Sequence, residues 1–228
     1  MDSGLPAVTT NDDGFGARMC AEFVDILVVS GASVSVFGRD GRQSTICASN
    51  SVAALAESLQ FELGEGPHWE ALSTTRPVLV PNLAVQVDSP WPLFSSGAQK
   101  LGIAAVFAFP MTMGAATIGV VDLYCDAPRE LDPHQVSVGM SMAGRFAVLA
   151  AREAMRSAND PDANEHELAP SIRREVHQAT GMIQAQLNVT TTDAFARLRA
   201  HAFASGSSVD EIARAVVARR LNFSELLD

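Results

Sequence analysis

The segment IAAVFAFPMTMGAATIGVVDLYC, residues 103–125, decides the fold of the chain. It contains two apolar runs rich in β-branched and aromatic residues, joined by the short turn TMG. Two such runs around a glycine-containing turn are typical of a β-hairpin. Phe107 and Phe109 lie two residues apart in the first run. We therefore expect both side chains to point to the same face of a sheet and into the core.

The segments on either side of this hairpin alternate between helical and extended patterns. Apolar residues at helical spacing predict helices, and short runs bracketed by glycine or proline predict strands. Upstream, the predicted elements are a helix over 15–30, a hairpin around GRDGRQ, a helix over 51–63 with Ser51 as its N-cap, a strand over 76–83 and a helix over 91–102. Downstream, one long helix covers 133–156. This order predicts an α+β fold in which helices flank an antiparallel sheet.

The composition indicates a folded chain without a membrane anchor. Hydrophobic residues make up 47% of the 228 residues, but there is no run of about 18 apolar residues, so no membrane span is predicted. The acidic N-terminus lacks the features of a signal peptide, and we expect a cytoplasmic protein. Cys20, Cys47 and Cys125 lie far apart and form no CxxC pair. This favours buried thiols over a disulfide or a metal site.

Charge is distributed unevenly along the chain. The net charge of -10 argues against a surface that binds nucleic acid all over. Residues 171–228 hold seven Arg and six Asp or Glu, a balance of +1, whereas residues 1–170 hold nine Lys or Arg and twenty Asp or Glu, a balance of -11. If the chain binds a polyanion, we therefore expect the C-terminal part to bind it through arginine.

Several motifs in the first 156 residues resemble a GAF domain. They are LGEGPHWEAL, RPVLVPNL, LGIAAVFAFPM and ATIGVVDLYC, followed by the long closing helix. The resemblance covers residues 15–156. It implies either a pocket that senses a small molecule or another signal, or a domain that dimerises without a ligand. Trp69, Trp91 and Phe94 are candidates for lining such a pocket, and Asp122 is expected to have a structural role.

A polar segment separates this domain from three further helical segments. Residues 157–170, SANDPDANEHELAP, contain two prolines, several acids and few apolar residues, which predicts a linker. The first helical segment covers 171–187, and the second follows the N-cap sequence TTTD. The third begins at Ser208, which can form a capping box with Glu211. The apolar faces of the segments predict a small three-helix bundle.

These helices resemble an ANTAR domain over residues 171–223. The resemblance is carried by REVHQATGMI, TDAFARLRAHAFASG and VDEIARAVVARRL. It implies RNA binding and transcription antitermination, in which a homodimer holds two tandem stem-loops of an mRNA leader and prevents the terminator hairpin from forming. Many members have a lysine where this chain has Thr180. Arginines elsewhere in the module must therefore supply the positive charge.

The first helix of this module, VHQATGMIQAQL over 176–187, carries a small surface. Glycine within a helix costs roughly 1 kcal/mol relative to alanine, and a low helix surface lets an RNA loop approach closely. Glutamine can bond to base edges, and arginine can pair with phosphates or stack on a base. The candidate RNA-binding residues are Arg173, His177, Gln178, Ala179, Thr180, Gly181, Arg197, Arg199 and His201. Close helix packing is the alternative explanation for Ala179 and Gly181.

No constellation of residues predicts catalysis, a metal site or a cofactor. The motifs GxSxG and HExxH are absent, and GEGP is too short for a phosphate-binding loop. We therefore expect a regulator and not an enzyme, with RNA, a second copy of the chain and a small molecule at the GAF domain as partners. A protein-interaction adaptor whose three-helix module binds a partner helix is the alternative. Steep salt dependence of binding would indicate RNA.

Overall fold

The computed structural model describes residues 15–37, 43–85, 89–159 and 168–226. The helices are α1 (Phe15–Leu27), α2 (Ser51–Leu63), α3 (Pro67–Thr74), α4 (Pro92–Lys100), α5 (Pro133–Asn159), α6 (Leu168–Leu187), α7 (Thr191–Ser205) and α8 (Val209–Val217). The strands are β1 (Gly31–Phe37), β2 (Gln43–Ala48), β3 (Val78–Val80), β4 (Ala105–Met113) and β5 (Ala116–Cys125). Short 3-10 turns cover Leu83–Val85 and Phe223–Leu226.

Within these described ranges the strands form one five-stranded sheet in the order β2-β1-β5-β4-β3. Every neighbouring pair is antiparallel. The hairpin predicted from residues 103–125 is β4 and β5, which pair from Ala105 with Cys125 to Met113 with Ala116. Gly114 turns the chain between them with φ +65, a backbone conformation that favours glycine. The predicted α+β fold with an antiparallel sheet is confirmed.

The two faces of the sheet are covered by different helices. Helices α1 and α5 pack on one face, where Phe107 and Phe109 are fully buried, as their alternation predicts. The rings of Phe23 on α1 and Phe146 on α5 meet there with centroids 5.8 Å apart. Helices α2, α3 and α4 cover the other face. That second face combines an apolar cluster with several buried polar side chains.

The region between α2 and β3 differs from its sequence prediction. The N-cap of α2 is Asn50 and not Ser51, because the Asn50 side chain accepts a hydrogen bond from the Ala53 amide at 2.9 Å. The glycine-rich segment after α2 does end that helix, through Gly64 in the left-handed conformation. It also leads directly into α3, which begins at Pro67 and which the sequence analysis did not predict.

Two of the cysteines form a disulfide, contrary to the expectation of free thiols. Cys20 on α1 and Cys47 on β2 are bonded, with their Cα atoms 6.2 Å apart. The expectation was wrong because a separation of 27 residues in sequence says nothing about the packing of α1 on the edge strand β2. Cys125 is a free, buried thiol. Burial raises the pKa of this thiol, which makes it less reactive.

Helices α6, α7 and α8 form the predicted three-helix bundle. Each helix contacts the other two around an apolar core. Buried core residues of the bundle are Val176, Ala179, Ile183, Ala194, Leu198, Ala202, Val209, Ile212, Ala213 and Val216. Thr190 caps α7, and the capping box between Ser208 and Glu211 at the start of α8 is present as predicted.

The predicted linker over 157–170 lies mostly outside the described residues. Helix α5 continues to Asn159, and α6 begins at Leu168. Helical structure therefore extends into both ends of the predicted linker, while residues 160–167 are not described.

Candidate nucleic-acid interface

Gln178 and Gly181 lie on the exposed side of α6. A Cβ atom added at Gly181 would meet no heavy atom within 4 Å. Helix packing therefore does not require glycine here, and alanine would be favoured by its higher helix propensity. The bare surface at Gly181 faces outward, where a ligand can reach it.

Ala179 and Thr180 are buried and do not belong to this bare surface of α6. Ala179 is completely buried, and Thr180 is 4% exposed. The Thr180 hydroxyl donates a hydrogen bond to the Val176 carbonyl at 2.7 Å. Successive helical residues point about 100° apart, so three consecutive residues cannot all share one face. Neither Ala179 nor Thr180 offers surface to a ligand in this structure. Of the three small residues, Gly181 is the one that forms the low, exposed surface.

The candidate arginines do not form a single cluster. Arg197 and Arg199 are two residues apart on α7 and therefore point in nearly opposite directions. Arg197 is exposed, whereas Arg199 is half-buried with its guanidinium 5.0 Å from the centre of the Phe195 ring. Burial lowers the pKa of Arg199, and its Nε has no hydrogen-bond partner among the described residues. The side chain of Arg173 lies outside the described part of the chain.

The two candidate histidines are both half-buried against other groups. His177 donates from Nε2 to the main-chain carbonyl of Gln43 on β2 at 3.1 Å. The ring of His201 packs edge-on against Phe223, with centroids 5.4 Å apart. His177 thus contacts the N-terminal domain, while His201 supports the end of the bundle.

Phe203 on α7 is a candidate that the sequence analysis missed. Its side chain is 75% exposed, although phenylalanine is normally buried. It lies one helical turn beyond Arg199, on the same side of α7. The signal was available in the sequence, because the spacing of Ala194, Leu198 and Ala202 leaves Phe203 off the apolar stripe.

A buried polar group lies under α2 and α3 in the N-terminal domain. His68 on α3 is 1% exposed, and its Nδ1 donates to Oδ2 of Asp122 on β5 at 2.6 Å. Nearby, the Gln43 side chain donates to Glu57 at 2.6 Å and to Ser35 at 3.1 Å. His68 Nε2, Asp122 Oδ1 and Gln43 Oε1 are buried without a hydrogen-bond partner among the described residues. Buried polar atoms of this kind are normally satisfied, so a polar ligand is one explanation for them.

The three residues predicted to line a sensor pocket belong to two separate clusters. Trp91 and Phe94 are buried with α2, α4 and β4. Trp69 instead packs against the core of the three-helix bundle and donates from its indole Nε1 to the Gln60 carbonyl at 2.7 Å. His68, beside Trp69 in sequence, is the residue that points to the polar group beneath α3. Its position within the motif LGEGPHWEAL was the available signal.

The described part of the chain contains no group of three His, Cys, Asp or Glu residues arranged to hold a metal ion. None of the described helices combines the length and apolar character that a membrane span requires.

Comparison with known families agrees with this division into a sheet domain and a helical bundle. The model of the GAF domain matches residues 10–149, and the model of the ANTAR domain matches residues 167–217. Since the first match covers more than half of the chain, the protein belongs to the GAF domain family, in the architecture in which an ANTAR domain follows the GAF domain. GAF domains are sensory, and ANTAR domains are RNA-binding regulators of transcription antitermination. Both are regulatory domains.

Solved structures show the same fold for the sheet domain. A domain of a putative two-component sensor histidine kinase from Sinorhizobium meliloti 1021 is 20% identical, with a TM-score of 0.50 over 66% of this chain and 97% of that chain. The GAF domain of the cyanobacteriochrome TePixJ is 15% identical, with a TM-score of 0.50 over 67% of this chain and 99% of that chain. At these identities the similarity concerns the fold alone. The search of curated proteins found no match.

Proposed function

We propose that this protein is a transcription antiterminator that binds two tandem stem-loops of a nascent transcript as a homodimer. The observation that carries the proposal is the exposed glycine on α6 of an ANTAR domain, where an added Cβ would meet nothing. A glycine that the fold does not need, on a solvent-facing helix surface, is explained by a ligand that must approach the backbone closely.

On this proposal, the RNA loop sits against Gly181 and reaches His177 one turn away on α6, with Gln178 bonding to base edges. Arg173 and Arg197 supply positive charge for phosphates. Phe203 provides an exposed ring on which an unpaired base can stack. Ala179 and Thr180 are assigned to the scaffold, because both are buried and Ala179 belongs to the core of the three-helix bundle.

The homodimer is proposed to form along α5. Val148 and Leu149 are large apolar residues that remain exposed on this long helix, and a second copy of the helix can cover them. A dimer presents two ANTAR domains, so binding of the first stem-loop makes binding of the second intramolecular. Holding both stem-loops prevents their sequence from joining the terminator hairpin.

We further propose that the GAF domain senses a small polar molecule at the His68–Asp122 pair. Nε2 of His68 and Oδ1 of Asp122 have no hydrogen-bond partner within the described ranges, so both atoms can bond to such a molecule. Since transcription takes place in the cytoplasm, the proposal places the protein there as a regulator and not as an enzyme.

A titration of the full chain with labelled RNA tests the proposed function. We expect a tandem stem-loop RNA to bind roughly 100-fold more tightly than a single stem-loop of the same sequence, because of the intramolecular second step. Affinity should fall steeply as the salt concentration rises, since phosphate contacts release counterions. Equal affinity for both RNAs would contradict dimeric recognition. Absent or salt-independent RNA binding would favour the adaptor function instead.

A further inference from the structure

The ANTAR domain packs directly against the GAF domain through aromatic residues. Phe61 on α2 contacts Phe195 on α7, with ring centroids 5.0 Å apart, and meets the edge of the His177 ring at 6.3 Å. Phe61 is only 7% exposed, and the apolar cluster that buries it is the core of the ANTAR bundle. Trp69 on α3 packs against the same cluster. A GAF side chain thus completes the core of the second domain.

Polar contacts extend this junction toward the proposed RNA surface. The Gln43 carbonyl on β2 accepts the hydrogen bond from His177. The Arg199 guanidinium occupies the space at Gly64 that a side chain there would fill. Because glycine has no side chain, the cation can lie close to the end of α2. Two candidate RNA-binding residues, His177 and Arg199, are therefore engaged by the GAF domain.

We infer that Gln43, Phe61, Gly64 and Trp69 form a docking surface that holds the chain's own ANTAR domain and competes with RNA for it. This inference rests on the proposed RNA-binding function. His177 and Gly181 are four residues apart and lie on the same side of α6. An RNA loop seated on Gly181 and reaching His177 would meet β2, so the docked arrangement excludes it.

The docking surface is built on the same elements as the buried polar group of the GAF domain. Gln43 places its side chain in that group and its carbonyl on His177. Gln60 accepts the His68 amide through its side chain and the Trp69 indole through its carbonyl. A molecule bound at His68 and Asp122 can therefore shift the docking equilibrium if it favours one arrangement of α2 and α3.

The docked arrangement also brings like charges together. Burial raises the pKa of Glu62 on α2, and the negative charge of Asp210 on α8 raises it further. Docking therefore works against the ionised form of Glu62 at neutral pH. The repulsion between Glu62 and Asp210 weakens a contact that apolar packing otherwise stabilises. The ANTAR domain can therefore separate from the GAF domain, as competition with RNA requires.

Replacing Phe61 tests the inference in the full chain. Phe61→Glu alters only the GAF side of the junction, so it removes docking and leaves every proposed RNA contact intact. We expect it to bind tandem stem-loop RNA about tenfold more tightly than the wild type. This factor corresponds to a wild-type protein in which about one molecule in ten is undocked and able to bind RNA. Leu55→Glu is the matched control, because Leu55 is an exposed residue of the same helix. It should bind as the wild type does. An affinity of Phe61→Glu no higher than that of the wild type would overturn the inference.

The fluorescence of Trp69 reports docking directly. This measurement depends neither on RNA affinity nor on whether Phe61→Glu folds. In a Trp91→Phe background, Trp69 is the remaining tryptophan. We expect its emission to shift to the red when tandem stem-loop RNA is added, and to be shifted already in Phe61→Glu. An emission that stays unchanged while RNA binds would overturn the competition. If no RNA binds, the proposed function fails and the competition with it, and a red shift in Phe61→Glu would then still support the docking surface alone.

Discussion

Gly181 and its two predecessors show what a sequence pattern can and cannot predict at the scale of a residue. The run of small residues indicated a low surface, and Gly181 indeed faces open space. Ala179 and Thr180 were grouped with it because they are consecutive. Helical geometry places Ala179 in the bundle core and buries Thr180. Residues at spacings of three or four, such as His177 and Gly181, are the ones that share a surface.

We predict that Gly181→Ala stabilises the protein. The added methyl group meets nothing, and alanine favours the helix, so the free energy of unfolding should rise by about 0.5–1 kcal/mol. Urea denaturation measures it. Gly139→Ala, also within a helix, is the control. It should lower the free energy of unfolding, because its Cβ would lie 2.8 Å from the Phe109 ring. Destabilisation by Gly181→Ala would mean that the fold needs this glycine after all.

A second prediction concerns Glu62. Removing its charge with Glu62→Gln relieves the unfavourable burial beside Asp210 and should favour docking. RNA binding should then weaken about threefold, the reverse of what losing a negative charge does by itself. Glu130→Gln removes an exposed charge from the same domain and should leave RNA affinity unchanged or slightly higher. A gain in affinity with Glu62→Gln, measured by RNA titration, would contradict the docking account.

At the scale of elements, periodicity predicted most helices and strands, and its failures have local causes. Residues 64–67 correctly marked the end of α2, but a short helix directly after glycines has too few residues to show a clear period. Asn50 and Ser51 are both good N-cap residues, so the sequence alone could not decide between them. The central hairpin was the element that the sequence predicted most clearly, because both of its strands are long and apolar.

The disulfide between α1 and β2 gives a prediction at this scale. Cys20→Ala should lower the free energy of unfolding by about 3 kcal/mol under oxidising conditions, because the bond closes a loop of moderate length in the unfolded chain. Denaturation with guanidinium chloride measures the change. Adding a reductant to the wild type should remove most of the difference. Equal stability of the two proteins without reductant would indicate that the thiols are free, as the sequence analysis expected.

At the scale of the whole molecule, the sequence predicted the two domains but not how they meet. The polar segment over 157–170 predicted a linker, and a linker does not show whether the domains it joins contact each other. Phe61 falls within the predicted helix over 51–63, and no periodicity shows that its partners lie in another domain. Contacts between residues that are more than 100 positions apart, such as Gln43 and His177, depend on the folded arrangement of both domains.

Dimerisation is testable at the same scale. Val148→Glu places a charge on the exposed apolar side of α5, so we expect a monomer by light scattering and loss of the preference for tandem over single stem-loops. Met113→Glu makes the same change at an exposed apolar residue of the hairpin and should leave a dimer. A Val148→Glu protein that stays dimeric would place the dimer contact elsewhere.

The most direct test of the central claim is the affinity of Gly181 variants for tandem stem-loop RNA. Gly181→Glu and the uncharged Gly181→Leu both fill the open surface of α6, and we predict that each weakens binding by about 100-fold, roughly 2.7 kcal/mol. Their circular dichroism spectra should match that of the wild type, because the Cβ of each added side chain enters open space. If both folded variants bind this RNA as tightly as the wild type, the RNA loop does not sit on Gly181 and the proposed interface is wrong.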